Sequence, residues 1–353
     1  MADTYCLNQK VIHCREGLCF IFDETTINGN DYFVVKSVTG NGENTITVQG
    51  LTFNTNGLDI SNFNKDQLNA GNLDGIIVCT PSFLHHPVCK MAGEKGISVF
   101  CEKPFTTDPA LAMELADLFE KKGLVNQVGY VNRFSAVWKK VKSFIDEGVI
   151  GQVAHTNAQF YSATIVAPQT KEGWRSKREN GGGATYEMGA HIFDLMEFFF
   201  GKPKKIYGSL LNYIYSDNVE DMCSAEVEYA NGTTASIHVD WSDFTYRKPM
   251  MKLEIIGTKG KIQGDFYGYK IFLKEENKVV GLPAGWTTVP MNIIPTHAEY
   301  YVRGVGFSNQ LYTFADAIKD RKNTRGCSFR EAAHTQELIH TIFENDAKNK
   351  EVS

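Results

Sequence analysis

Along the middle of the chain, two short apolar runs flank one amphipathic stretch. Gly75-Ile76-Ile77-Val78-Cys79 lies between Asp74 and Thr80-Pro81, and Ile97-Ser98-Val99-Phe100-Cys101 runs from Gly96 into Glu102-Lys103-Pro104. Runs of this length, apolar without alternation, predict strands buried on both faces. Between them Leu84, Val88, Met91 and Ala92 recur near the 3.6-residue period, and Gly96 stands where a helix stops. The pattern predicts a strand-helix-strand unit. Such units cross over right-handed, so both strands end at one edge of a parallel sheet, where doubly wound α/β proteins bind ligands.

The same reading extends downstream. Helical spacing over 108–122, opened by Thr107 or Asp108 and stopped at Gly123, is followed by a strand over 125–130 and an amphipathic helix over 136–148. After Gly151 the period shifts towards two, and strands are predicted over 153–161, 205–215, 224–229, 234–241, 252–256, 261–266 and 270–274, with turns at Asn231-Gly232 and Thr258-Lys259-Gly260. This is a large, mostly antiparallel sheet, closed by helices over 309–319 and 329–345. The aromatic residues Phe160, Tyr161, Tyr213, Tyr215, Trp241 and Phe244 are expected on its open face, where a second copy would cover them and give a homo-dimer or homo-tetramer.

The first 72 residues follow a different pattern. Strands over 10–14, 17–22, 32–38 and 45–51, joined by Gly- and Asn-containing turns, predict a β-meander, with a short helix over 64–69. A complete dinucleotide-binding half needs a strand running into Gly-x-Gly-x-x-Gly at a helix N-terminus. The nearest string, Gly40-Asn41-Gly42, has Thr45 in place of the third glycine and leads into a β-branched segment. The predicted fold is therefore an α/β Rossmann-like domain whose first half is atypical or rebuilt, followed by an α+β domain with an open-faced sheet. The expected divisions are 1–72, 73–135 and 136–353.

Chemistry gathers at the strand ends. Lys103 directly follows a buried strand, and desolvation there lowers an ammonium pKa, making a proton donor or acceptor; the alternative is a plain ion pair with Glu102. Arg133 follows the strand over 125–130 at the same edge. Further on, Gly181-Gly182-Gly183 leads into a helical pattern on which Glu187, His191 and Asp194 project near one face. Three glycines permit close backbone approach to a ligand, and a carboxylate beside an imidazole fixes its tautomer and raises its basicity. The alternative is a capped helix start with an ordinary i,i+4 pair.

The order Thr80-Pro81-x-x-x-His85, Ala92-x-x-x-Gly96, Glu102-Lys103-Pro104, Gly129-Tyr130-x-Asn132-Arg133-Phe134, Trp174-Arg175, Gly181-Gly182-Gly183-Ala184-x-x-Glu187-x-Gly189-x-His191-x-x-Asp194 and Gly257-Thr258-Lys259-Gly260 resembles the Gfo/Idh/MocA oxidoreductases over about residues 64–348. The resemblance implies hydride transfer between NAD or NADP and a hydroxyl-bearing carbon of a sugar or polyol. It implies that Lys103, His191 and Glu187 are catalytic, with Glu187 where the family usually has Asp. Thr80, Pro81, His85, Glu102 and Lys103 would meet the nicotinamide half of the cofactor, and Tyr130, Asn132, Arg133, Trp174, Arg175 and Asp194 the substrate. Two readings from other classes stay open: a non-catalytic relative acting as a sugar-binding or scaffolding subunit, and a sugar lyase or isomerase with tightly held NAD.

Composition narrows the setting. Hydrophobic residues at 42% and charged residues at 22% describe a globular chain with a sizeable core, and a formal net charge of -5 argues against nucleic acid as a partner. The absence of a long apolar run or a leader pattern predicts a cytoplasmic protein without a membrane partner. The cysteines carry no CxxC spacing or His cluster, which predicts free thiols and no metal site.

Overall fold

A computed structural model of the chain describes residues 19–27, 30–37, 45–48, 51–54, 74–80, 82–164, 174–296, 305–320 and 326–352, the first four stretches as backbone. The strand over 10–14, the helix over 64–69 and the Gly40-Asn41-Gly42 string lie outside these residues. β1 (Cys19–Ile27) and β2 (Asn30–Ser37) form an antiparallel pair, and β3 (Thr45–Val48) and β4 (Leu51–Asn54) form a separate hairpin, so the expected single meander is two units. β2 runs parallel to β5 (Gly75–Val78), with Tyr32 opposite Gly75 and Val34 opposite Ile77. Its sequence explains the choice: Tyr32-Phe33-Val34-Val35 is apolar without alternation, as an inner strand of a parallel sheet requires.

The strand-helix-strand unit forms where the pattern placed it. A 3-10 turn (Ser82–Leu84) enters α1 (His85–Glu94), which returns to β6 (Ser98–Cys101); α2 (Pro109–Lys122) then leads to β7 (Asn126–Val128). The Asp108 carboxylate caps α2 by accepting the Ala110 N–H at 2.8 Å, and Gly123 ends it in the left-handed region at φ 63°. The sheet order is β1-β2-β5-β6-β7, and β2, β5, β6 and β7 are mutually parallel, so their carboxyl ends share one edge. Alternate residues face opposite layers: Ile76, Val78, Val99 and Cys101 join the core with α1 and α2, whereas Ile77 and Phe100 pack with Phe314 and Ile318.

α3 (Ala136–Asp146) leads into β8 (Val153–Tyr161), and a π turn (Thr185–Gly189) continues as α4 (Ala190–Phe200). β9 (Pro203–Asn212), β10 (Met222–Tyr229), β11 (Thr234–Asp240), β12 (Met250–Gly257), β13 (Gly260–Asp265), β14 (Gly268–Leu273) and β15 (Gly285–Pro290) complete an eight-stranded sheet of order β15-β14-β13-β12-β8-β11-β10-β9. Every neighbouring pair is antiparallel except β8 and β11. Its inner face packs on α3 and α4, where Trp138 meets Phe199 and Phe266 edge-on and Phe144 meets Tyr269.

The expected aromatic surface holds only in part: Tyr213, Tyr215 and Phe244 are exposed, but the rest of the face differs. Phe160 and Trp241 point into the core, and the centre of the face is polar. There His155 bonds Thr234, Asn157 bonds Glu254, and Ser224 bonds His238. The alternation had placed Phe160 on the same face as its neighbours, but a strand sends Phe160 and Tyr161 to opposite sides.

α5 (Val305–Asp320) and α6 (Phe329–Val352) bring the chain back to the first sheet. The Val128 N–H donates to the Cys327 carbonyl at 2.8 Å, the Phe329 N–H donates to Asn126 Oδ1 at 2.7 Å, and the Phe329 ring rests between Phe105 and Phe119. Among the described residues no helix is long and apolar enough to cross a membrane, and Cys89, Cys101, Cys223 and Cys327 are free thiols.

Candidate active site

β6 delivers Glu102 and Lys103 to the edge shared by the parallel strands. The Glu102 carboxylate is directed at Gly129, where a Cβ would come within 2.9 Å of Oε1, and accepts the Lys103 backbone N–H at 3.2 Å. The Lys103 ammonium turns away from Glu102. Its Nζ donates to Glu187 Oε2 and to the Glu187 carbonyl, each at 3.2 Å. Arg175 Nη2 reaches the other carboxylate oxygen of Glu187 at 3.3 Å, so one carboxylate is shared by two cations. Lys103 and Glu187 both retain 17% side-chain exposure, which keeps the cluster open to a ligand.

The π turn explains the direction Glu187 takes. The spacing had predicted a plain helix with Glu187 and His191 paired one turn apart. The widened turn sends Glu187 towards Lys103 and Arg175 instead, and His191 Nδ1 is buried with no hydrogen-bond partner among the described residues. The His191 ring lies edge-on to Tyr130 and Phe160, with centroids 6.1 and 6.4 Å away. Burial, and then the nearby Lys103 ammonium, push the His191 pKa down to about 3, with Glu187 opposing only in part. The carboxylate does act on His191 in the direction the sequence suggested, but burial and Lys103 outweigh it. Burial also opposes the charge of Glu187, but Lys103 and Arg175 outweigh it and hold that carboxyl at about 2.

The glycine loop has a different purpose from the one expected. A Cβ on Gly182 would lie 2.3 Å from the Arg175 carbonyl, and one on Gly183, at φ 98°, would lie 2.4 Å from Glu220 Oε1. At these two glycines the space a side chain would take belongs to the protein's own groups. Glu220, fully buried, accepts the Thr185 N–H at 2.9 Å and pairs with Arg178 at 3.4 Å, anchoring the start of the π turn. Sequence reasoning missed Glu220 because its only local signal is an acidic pair before a strand.

Other expected site residues divide. Thr80 stands at the end of β5 with its Oγ1 buried and without a hydrogen-bond partner among the described residues. Pro81 lies outside the described residues. Trp174 belongs to the 3-10 turn Trp174–Ser176, and its side chain lies outside them. Tyr130 is fully buried and backs His191, and Asn132 is buried in the turn Val131–Phe134, so neither presents an open substrate surface.

Arg133 and Asp194 depart furthest from a substrate role. The guanidinium donates from Nε to both Asp194 oxygens at 3.0 Å, reaches Glu331 at 2.6 Å and stacks on Phe198; its exposure is 2% and that of Asp194 is 0%. They are an interior brace. His85, expected to touch cofactor, is likewise buried, with both ring nitrogens turned to backbone carbonyls.

Comparison with known proteins bears on the family and the fold. Residues 39–130 match the model of the oxidoreductase family with an NAD-binding Rossmann fold, and residues 138–263 match the GFO/IDH/MocA C-terminal domain. The first match reaches back past residue 64, into the segment whose pattern looked foreign. The uncharacterized oxidoreductase YdgJ of Escherichia coli is 33% identical over 139 residues, 39% of either chain. The 2,7-anhydro-N-acetylneuraminate hydratase of Mediterraneibacter gnavus is 28% identical over 199 residues, 55% of this chain and 51% of its own. The chain thus aligns with about half or less of the length of these two relatives. Among solved structures, an oxidoreductase domain protein of Kribbella flavida superposes with a TM-score of 0.72 at 23% identity over 80% of each chain. A levoglucosan dehydrogenase in complex with NADH and levoglucosan superposes at 0.71 with 19% identity over 80% of each. With both family models matched in order over more than half its length, the chain belongs to the Gfo/Idh/MocA family of NAD-binding oxidoreductases.

Proposed function

We propose that this protein oxidises and reduces a hydroxyl-bearing carbon of a sugar or polyol, using NAD or NADP. The observation that carries the reading is the meeting of Lys103, Glu187 and His191 at the carboxyl edge of a parallel sheet, partly open to solvent. The residues present fit the nicotinamide half of a dinucleotide there: Thr80 Oγ1 is a buried polar atom without a partner among the described residues, and Glu102 and Lys103 stand at the adjoining strand end. When bound, the nicotinamide accepts or donates the hydride. Lys103 donates a hydrogen bond to the substrate oxygen and favours its alkoxide character. His191, neutral at pH 7, takes the hydroxyl proton during oxidation and returns it during reduction. Glu187 holds the ammonium in place, with Arg175 fixing the far carboxylate oxygen and lining the substrate side. Oligomerisation through the open sheet face and a cytoplasmic setting belong to the same reading. Exposed Tyr207, Leu210 and Trp286 towards the ends of the sheet support the first, and the free thiols the second.

The test is a titration of NADH and NADPH into the purified protein, followed by nicotinamide fluorescence, with Lys103→Ala alongside and a panel of sugars and polyols for turnover. Micromolar binding and sugar-dependent absorbance change at 340 nm are expected. No binding at millimolar concentration, with no dinucleotide released on denaturation, sinks the proposal. The relative named as a hydratase gives a second reading, a sugar lyase or isomerase retaining its dinucleotide. Released cofactor without net absorbance change selects it.

A further inference from the structure

His85 is the first residue of α1, and only 1% of it is exposed. Nδ1 lies 2.9 Å from the Pro104 carbonyl oxygen and 3.1 Å from that of Phe105, the two residues that follow Lys103. Nε2 lies 2.8 Å from the Thr80 carbonyl oxygen, at the end of β5. Carbonyl oxygens only accept, so the ring serves them only where it carries a proton. Burial lowers the pKa of the ring, while the three carbonyls pull it partly back up. A ring with one N–H places it best on Nδ1, which faces two acceptors where Nε2 faces one. Its donor is then spent on the peptide units next to Lys103, and the Thr80 carbonyl beside Nε2 receives no proton from the ring. Among the described residues, Lys103 Nζ donates its hydrogen bonds to Glu187, on a segment distant in sequence.

We propose that His85 is the positioning residue of Lys103: its Nδ1–H fixes the Pro104 and Phe105 carbonyls and so sets where the ammonium stands against Glu187 and the substrate. The inference rests on the proposed function only in that Lys103 meets substrate. Its cofactor-contacting role in the sequence reading is replaced by one exerted through the backbone.

Asparagine and glutamine separate the two ends of the ring, since the amide nitrogen of Asn overlays Nδ1 and that of Gln reaches towards Nε2. Labelling of Lys103 by acetic anhydride, read by mass spectrometry, is expected within twofold of the parent rate in His85→Asn and raised severalfold in His85→Gln. Turnover should follow, with kcat falling on the order of tenfold to a hundredfold in His85→Gln, KM for dinucleotide unchanged, and Asn restoring most of the loss. A purely structural role would move both variants together, and that result overturns the proposal. In the parent protein, nitrogen NMR of labelled histidine should find a proton on Nδ1; a proton on Nε2 alone also overturns it, whether or not the variants fold. The expected labelling pattern in a protein without sugar turnover supports the positioning role and counts against the substrate reading.

Discussion

Glu187 and Asp194 lie on one helical segment, and each is met by an arginine, yet the two pairs have opposite natures. Asp194 receives the Arg133 Nε–H between its two carboxylate oxygens, with Nη2 2.8 Å from Oδ1, in a fully buried site, and Glu331 and Phe198 complete the shell around the guanidinium. Glu187 receives Arg175 through one long contact at 3.3 Å, shares itself with Lys103 at 3.2 Å, and stays partly wet. A two-pronged dry pair fixes geometry, because neither charge has another place to go. A carboxylate divided between two cations in a half-open cleft is held loosely enough for a substrate oxygen to enter the arrangement. Both pairs join a carboxylate to an arginine, so what separates the two is the surroundings.

The sharpest way to break this contrast is to remove one partner of the dry pair. Arg133→Met leaves Asp194 buried and uncompensated, and should cost about 3–5 kcal/mol of unfolding free energy in a urea titration. A loss under about 1 kcal/mol would place this pair in the same class as exposed ones. On the wet side, Lys103→Met should lower kcat/KM by about a hundredfold or more while shifting the unfolding midpoint little; the reverse outcome would make the ammonium a structural group. Arg175→Gln removes one charge-assisted contact, and roughly a tenfold drop in kcat/KM is expected, with Glu187 still held by Lys103.

The smallest effect is on acid stability. In the unfolded chain His191 takes up a proton near its ordinary 6.5, and in the folded chain only near about 3. Between these pH values the unfolded state holds the extra proton, so stability falls as pH falls. Glu187, held at about 2 against an ordinary 4.5, adds a loss of the same sign below pH 4.5. His191→Asn should flatten the upper part of this slope, saving roughly 5 °C of melting temperature at pH 4.5 relative to pH 7. Parallel melting curves for parent and variant would argue that His191 is not buried neutral.

The sequence made the strand-helix-strand unit legible because its period is local: β5, α1 and β6 lie within two residues of their predicted bounds. It also brought Lys103, Glu187 and His191 to notice by order of motifs. It did not reveal the π turn, which depends on Glu220 reaching Thr185 from 35 positions downstream. Nor did it reveal that Gly183 yields to that carboxylate. Arg133 looked like a ligand arginine because strand-end position is readable and burial by Glu331, nearly two hundred positions away, is not. In the first segment, composition pointed to an independent meander, whereas β2 joins the parallel sheet through a partner that no local pattern names.

The bridge from Val128 to Cys327, with Phe329 seated between Phe105 and Phe119, has a consequence for synthesis on the ribosome. The last strand of the dinucleotide-side sheet emerges early, but the segment that borders it arrives roughly two hundred residues later, a wait of about 10–40 s at bacterial-like elongation rates of about 5–20 residues per second. During that interval the Phe105 and Phe119 rings have no cover from Phe329. A nascent chain stalled or truncated before residue 326 would carry an open apolar slot beside its parallel sheet, the kind of exposed surface that chaperones receive.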